Sequence, residues 1–212
     1  MNKRTLLRLG LLTLIGFPIP TFLVLYLLES IKPTEILDLS RLGFSEIGIG
    51  LFFGVLYALI ALQLMKFQVF QQLPNRIERL VSQMKLTVLE CIFLSLCAGV
   101  GEELLFRSGF QHYFGAIATS IFFVAIHGYL NPWNWRMSLY GVIVLPFILL
   151  LSFGFINWGL WFAISAHFSY DLVLFIAMRN GEESSHDELE TIDLKNENAT
   201  GEDSGSINLE NL

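Results

Sequence analysis

Charged residues are scarce in this sequence. Asp, Glu, Lys and Arg make up 15% of its 212 residues, whereas about 25% is usual in a soluble domain. Apolar residues make up 54%, including 19 Phe. This composition excludes an ordinary soluble enzyme and indicates an integral membrane protein.

Cysteine and basic residues are also few. Cys91 and Cys97 lie six positions apart in one apolar segment, and they form neither a CxxC pair nor a metal-binding cluster. The formal net charge is −6. Without a basic excess the chain has little to neutralise phosphates, so we expect the lipid bilayer and no nucleic acid among its partners.

Most of the negative charge lies at the C-terminal end. Residues 179–212 contain 10 acidic and 2 basic side chains among Ser, Asn and Gly. Such a segment buries too little apolar surface to offset its ordering entropy. We therefore divide the chain into a polytopic membrane domain, 1–178, and an acidic, disordered cytoplasmic tail, 179–212.

Long apolar runs make up the membrane domain. The predicted spans are 9–28 with a kink at Pro18 and Pro20, 47–65, a helix from near residue 86 into Glu102 and Glu103, one span within 115–130, and two within 137–178 separated at Asn157-Trp158-Gly159. The fold class is an all-α integral membrane protein with about six transmembrane helices. The last four helices form the core of this domain, over 86–178.

Basic residues predict the orientation of the helices. Three precede the first span and four lie within 66–85. By the positive-inside rule, the N-terminus, the 66–85 segment and the C-terminus face the cytoplasm.

Ionisable side chains interrupt the last four spans but not the interiors of the first two. Each such group is costly in a membrane unless it is paired or hydrated, so together they predict a functional polar centre. They are Glu102, Glu103, Arg107, His127, His167 and Asp171.

The spacing of these residues predicts how they pair. Glu103 and Arg107 are at i,i+4 and share one helix face, so we expect an ion pair. Glu102 points about 100° away and has no local partner, which makes it the candidate base. His167 and Asp171 are again at i,i+4. The structural alternative is that Glu103 and Arg107 only hold two helices together.

Three classes of intramembrane protease are excluded by their motifs. No His is followed by Glu, so the zinc motif HExxH does not occur. No GxSx nucleophile lies in a span, and GxGD is absent, with Asp171 the only Asp in any predicted span.

Three short motifs occur in order along the core. EELLFR at 102–107 fits EExxxR, FVAIH at 123–127 fits FxxxH, and HFSYD at 167–171 fits HxxxN/D. Over about residues 86–178 the sequence resembles the CPBP family of intramembrane proteases, also called the Abi family. This family includes CAAX proteases and bacteriocin-processing enzymes.

The resemblance implies cleavage of a peptide bond in a membrane-associated protein or peptide. By this resemblance, Glu102 corresponds to the catalytic glutamate and His127 to the histidine that activates water. Glu103 and Arg107 correspond to the residues that hold Glu102 in place.

His167 and Asp171 correspond to the pair that stabilises the oxyanion. The chain departs from the family here, because well-studied members have Asn where it has Asp171, and an ionised Asp accepts hydrogen bonds but donates none. Glu102, His127, His167 and Asp171 are also a reasonable set of zinc ligands. The resemblance therefore implies either zinc or another divalent metal, as in a metalloprotease, or a metal-free water.

Two other functions stay open: a proton-coupled transporter and a catalytically idle membrane scaffold.

The depth of the site bears on the substrate. Glu102 lies about 16 residues from the cytoplasmic end of its helix, past the midplane of a ~20-residue span. This depth disfavours a prenylated CAAX substrate and favours a bacterial plasma-membrane protein that acts on membrane-delivered peptides, but a longer or tilted helix would remove the argument.

Overall fold

The structure is a computed structural model that describes residues 2–68, 85–131, 133 and 135–179. The fold consists of helices and connecting turns. No β-strand occurs within these ranges, so the all-α prediction is confirmed. Four helices there are long and apolar enough to cross a membrane, and the chain is a membrane protein. The predicted acidic tail beyond Arg179 and most of the basic 66–85 segment lie outside the described residues.

The first predicted span consists of two helices that follow one another closely. Helix α1, Lys3–Gly16, begins at Asn2, whose side chain accepts a hydrogen bond from the Thr5 amide. Helix α2, Pro18–Glu29, follows. Its first position is a proline, which has no amide hydrogen to give to the helical ladder. The two helices therefore divide at Phe17, where the sequence predicted a kink.

Helix α4, Phe44–Met65, is the second predicted span. A short helix α3, Pro33–Ile36, and a 3-10 turn, Leu39–Arg41, precede it. Small residues let helices approach closely in a bilayer, and a Cβ at Gly54 would collide with the Ala166 carbonyl oxygen. This close approach packs α4 on the last helix. The buried positions of α4 are all small: Gly50, Gly54, Ala58 and Ala61.

The helix that carries the two adjacent glutamates is longer than predicted. Helix α5, Val88–Glu103, continues without a break into a π-helical segment, Leu104–Phe110, and then into helix α6, Gln111–Ile126. Helical dihedral angles persist as far as Phe114, giving about 40 Å of continuous helix. Glu102 therefore lies near the middle of this helix, and the depth argument against a CAAX substrate is removed.

Helix α6 is broken at Gly115. The φ of 75° and ψ of 171° at this residue belong to a region that essentially only glycine adopts. The helix beyond it ends at Ile126 and is about 16 Å long, roughly half of a 30 Å hydrocarbon core. The predicted span 115–130 is thus a short helix followed by a turn at Gly128, whose φ is 79°.

The last two helices form an antiparallel pair. Helix α7, Trp135–Trp158, and helix α8, Leu160–Arg179, are separated by Gly159 with φ 82°, which confirms the predicted break. Aromatic rings fill the core between them, and Phe147 stacks on Tyr170 with ring centroids 4.1 Å apart. This core holds α8 in register against the helices that carry the polar residues.

Candidate active site

Glu102 and His127 face each other where α5 meets the end of α6. The His127 ring stacks on Phe123 with centroids 4.2 Å apart, and its Nδ1 lies 2.7 Å from the Phe123 carbonyl oxygen. A carbonyl oxygen only accepts, so Nδ1 carries the hydrogen and the neutral ring keeps Nε2 as an acceptor. Nε2 lies 3.7 Å from Glu102 Oε2, a separation that one bridging water can span.

Both members of this pair can be reached from outside the protein. The Glu102 side chain is 15% exposed and that of His127 is 31% exposed. Both side chains are therefore accessible to a water molecule.

Glu103 has the opposite environment. Its side chain and that of Arg107 are 0% exposed, and Arg107 Nε donates to Glu103 Oε2 over 2.7 Å. The predicted i,i+4 ion pair is confirmed. The other oxygen, Oε1, lies 2.7 Å from His167 Nδ1 on α8. Glu103 thus joins α5 to α8, and the short contacts that the structure gives it go to Arg107 and His167.

Further polar side chains surround the buried guanidinium. Arg107 Nη1 lies 2.5 Å from Ser152 Oγ on α7, and Ser152 Oγ lies 2.8 Å from Ser120 Oγ on α6. Gln111 Nε2 donates to the Ser152 carbonyl oxygen over 3.0 Å. A buried charge is tolerable when such hydrogen bonds replace water. Sequence reasoning missed these three residues, whose only signal was polar side chains in apolar helices.

The π-helical segment lies within the site. Arg107 is inside Leu104–Phe110, and Glu103 is the residue immediately before it. π-helical turns are rare in proteins, and those that occur are often found at functional sites. The sequence showed no sign of this distortion, which changes the direction in which the guanidinium points relative to an ordinary α-helix.

His167 lies between two carboxyl groups. Its Nδ1 bonds to Glu103, while its Nε2 lies 3.5 Å from Asp171 Oδ2. The His167 side chain is 6% exposed and that of Asp171 is 22% exposed. The contact on the Nε2 side is thus the longer of the two, and its carboxylate partner is the more exposed one.

The four residues that the sequence offered as metal ligands do not converge on one point. Within the described residues, no group of three or more His, Cys, Asp and Glu side chains is arranged to hold a metal ion. Glu102 and His127 face each other, but His167 is engaged through Nδ1 by Glu103. The residues present therefore do not fit a zinc site of the predicted composition.

All six predicted site residues lie in one region, and α5, α6, α7 and α8 all contribute to it. The architecture is that of an all-α membrane protein with an accessible carboxylate–imidazole pair beside a buried ionic network. Residues 84–173 match the family model described as type II CAAX prenyl endopeptidase Rce1-like. The resemblance drawn from the three motifs is confirmed over this segment, and the match indicates a CAAX-type protease. No curated protein and no solved structure gives a significant match.

Proposed function

We propose that the chain is an intramembrane endopeptidase that uses a water held between Glu102 and His127. It hydrolyses a peptide bond in a membrane-associated protein or peptide. The observation that carries this proposal is the 3.7 Å separation of Glu102 Oε2 from His127 Nε2. Two acceptors at that distance can each take one hydrogen of the same water.

The difference in exposure between the two glutamates supports their roles. Glu102 is partly exposed and makes no ion pair with an Arg or Lys among the described residues, whereas Glu103 is fully buried against Arg107. A base must reach its water, and a positioning group need not. We therefore assign proton transfer to Glu102 and orientation of His167 to Glu103.

In the first step the water oxygen attacks the carbonyl carbon of the scissile bond. One of its protons passes to the Glu102 carboxylate, and its other hydrogen is held by His127 Nε2. The electron pair of the carbonyl bond moves to the carbonyl oxygen, which becomes an oxyanion. His167, protonated between its two carboxylates, carries a hydrogen on each ring nitrogen, and the one on Nε2 stabilises this charge.

In the second step the tetrahedral intermediate collapses. The oxyanion reforms its carbonyl bond, the carbon–nitrogen bond breaks, and Glu102 returns the proton to the leaving amine. The products are a carboxylic acid and an amine, and the enzyme regains its starting protonation state.

The exposure of α8 suggests the side from which substrate enters. The side-chain exposure rises from 6% at His167 to 22% at Asp171, toward the Arg179 end of the helix. The same end of the bundle holds Lys3, which pairs with Glu90 at 2.7 Å. We place this basic end, with both termini, on the cytoplasmic face of a bacterial plasma membrane, and substrate enters from there.

The test compares the peptides of cells that express the wild type or Glu102→Gln. New protein termini in the membrane and medium are labelled and sequenced. Termini that appear with the wild type and not with Glu102→Gln are expected, and they name the substrate. Glu35→Gln is the matched control, because Glu35 is an exposed glutamate on α3, and it should give the wild-type termini.

Identical termini from wild type and Glu102→Gln, with both proteins folded and equally abundant, would contradict the proposal. A loss of proton-driven solute flux in Glu102→Gln would then favour a transporter. No change of any kind would favour a scaffold.

A further inference from the structure

The oxyanion side of the proposed site is short of hydrogen-bond donors. His167 Nδ1 bonds to Glu103, so its one remaining donor is Nε2, which carries a hydrogen when the ring is protonated. Asp171, which faces that nitrogen at 3.5 Å, donates nothing when ionised. Oxyanion holes work by aiming fixed donors at the developing charge, so a second donor from elsewhere would complete the site.

Tyr129 is placed to be that donor. It follows His127 by two residues, across the turn at Gly128, and its amide donates to the Val124 carbonyl oxygen over 3.1 Å. Its ring lies nearly parallel to the His127 ring, with centroids 6.2 Å apart and planes 10° apart. The turn at Gly128 therefore places the Tyr129 ring beside the His127 ring.

Helix α7 is shaped to receive Tyr129. A Cβ at Gly141 would collide with the Tyr129 carbonyl oxygen, so glycine is what permits this close approach. On the other side, the Tyr140 ring packs edge-on against Tyr129 with centroids 4.9 Å apart. These contacts hold the phenol in one position, as a preorganised donor requires.

The hydroxyl of Tyr129 is unengaged and lies near the reacting groups. Among the described residues it has no hydrogen-bond partner. The Tyr129 ring centroid lies 6.2 Å from that of His127, the histidine that faces Glu102.

We propose that the Tyr129 hydroxyl donates a hydrogen bond to the tetrahedral oxyanion, beside His167. The proposal rests on the proposed function. No bond of the phenol breaks: its hydrogen stays on the phenolic oxygen, and the proton of the attacking water still goes to Glu102 and then to the leaving amine. Tyr129 thus replaces the donor that an aspartate at 171 lacks.

The test measures cleavage of a synthetic peptide spanning the site identified by the Glu102→Gln comparison. Tyr129→Phe removes the hydroxyl and keeps the ring. We expect kcat to fall about 10²- to 10³-fold with KM nearly unchanged, the loss typical of one oxyanion donor. Tyr26→Phe is the matched control and should change kcat less than about threefold, because Tyr26 is an exposed tyrosine on α2.

A second variant separates donation from packing. Asparagine at 171 brings an amide donor, so Tyr129→Phe should cost at least about tenfold less in the Asp171→Asn background than in the wild type. An equal cost in both backgrounds, or a Tyr129→Phe enzyme with wild-type kcat, would overturn the donor proposal alone. If no peptide bond is cleaved by the wild type and left intact by Glu102→Gln, the proposed function itself is overturned.

Discussion

His167 Nδ1 on α8 lies 2.7 Å from Glu103 Oε1 on α5. This contact joins two helices whose motifs are 64 residues apart in the chain. It makes the second glutamate of the EELLFR segment a structural partner of the histidine, while the first glutamate faces His127. Two adjacent carboxyl groups thus serve two different imidazoles.

Removing the buried carboxylate should destabilise the fold. Glu103→Gln leaves the Arg107 guanidinium buried without its counter-charge, which costs about 3–5 kcal/mol for a buried pair broken on one side. Thermal unfolding in detergent should show a clearly lowered Tm. Glu102→Gln is the internal control and should melt near the wild type, because its carboxyl group is partly exposed. Equal melting of the two variants would contradict the division of roles.

Ser152 should contribute to the stability of the fold, although none of the three sequence motifs includes it. Ser152→Ala removes the oxygen that lies 2.5 Å from Arg107 Nη1 and leaves a buried donor unsatisfied, which costs about 1–3 kcal/mol. Denaturant titration of the purified protein measures the loss. Ser165→Ala is the matched control, since Ser165 Oγ bonds to carbonyl oxygens of its own helix. A loss as large in the control would show that Ser152 has no special partnership with Arg107.

His127 should be required for turnover and not for folding. His127→Phe keeps a ring that can stack on Phe123 but removes the acceptor that holds the water. We expect cleavage to fall about 10²- to 10⁴-fold, the usual contribution of a proton-transfer group. His112→Phe changes a surface histidine that pairs with Glu29 and should leave kcat near the wild type. Normal cleavage by His127→Phe would remove His127 from the mechanism.

The packing of α4 on α8 gives a test of the fold alone. A Cβ at Gly54 would collide with the Ala166 backbone, whereas one at Gly48 meets nothing within 4 Å. Gly54→Ala should therefore destabilise by about 1–3 kcal/mol, the usual cost of overpacking. Gly48→Ala should be neutral or slightly stabilising because alanine favours helix. Melting curves that rank the two variants the other way would contradict this packing.

Local relationships in the site could be predicted from the sequence, but contacts between helices could not. The Glu103–Arg107 pair follows from i,i+4 spacing on one helix, and the break at Gly159 follows from a glycine between two apolar runs. The Glu103–His167 contact depends on how α5 packs against α8, which spacing within either helix does not specify. The same holds for Ser152 and its link to Arg107.

The length of the helix around Glu102 was also beyond the sequence. The sequence predicted a helix from near residue 86 into Glu102 and Glu103, without indicating where beyond them it ends. Glu103 is neutralised by Arg107 and bonded by His167, so the helix continues to Phe114 through the π-helical segment. The helix breaks at Gly115, a single glycine in an otherwise helical pattern, where φ is 75°.

The most direct test of the central claim is turnover by purified protein in liposomes. Wild type and Glu102→Gln are given the peptide identified in cells, and their melting curves are recorded in the same preparation. The account predicts a loss of at least about 10²-fold in kcat for Glu102→Gln with an unchanged Tm, because only the proton acceptor is removed. Cleavage by Glu102→Gln within a few-fold of the wild-type rate would contradict it.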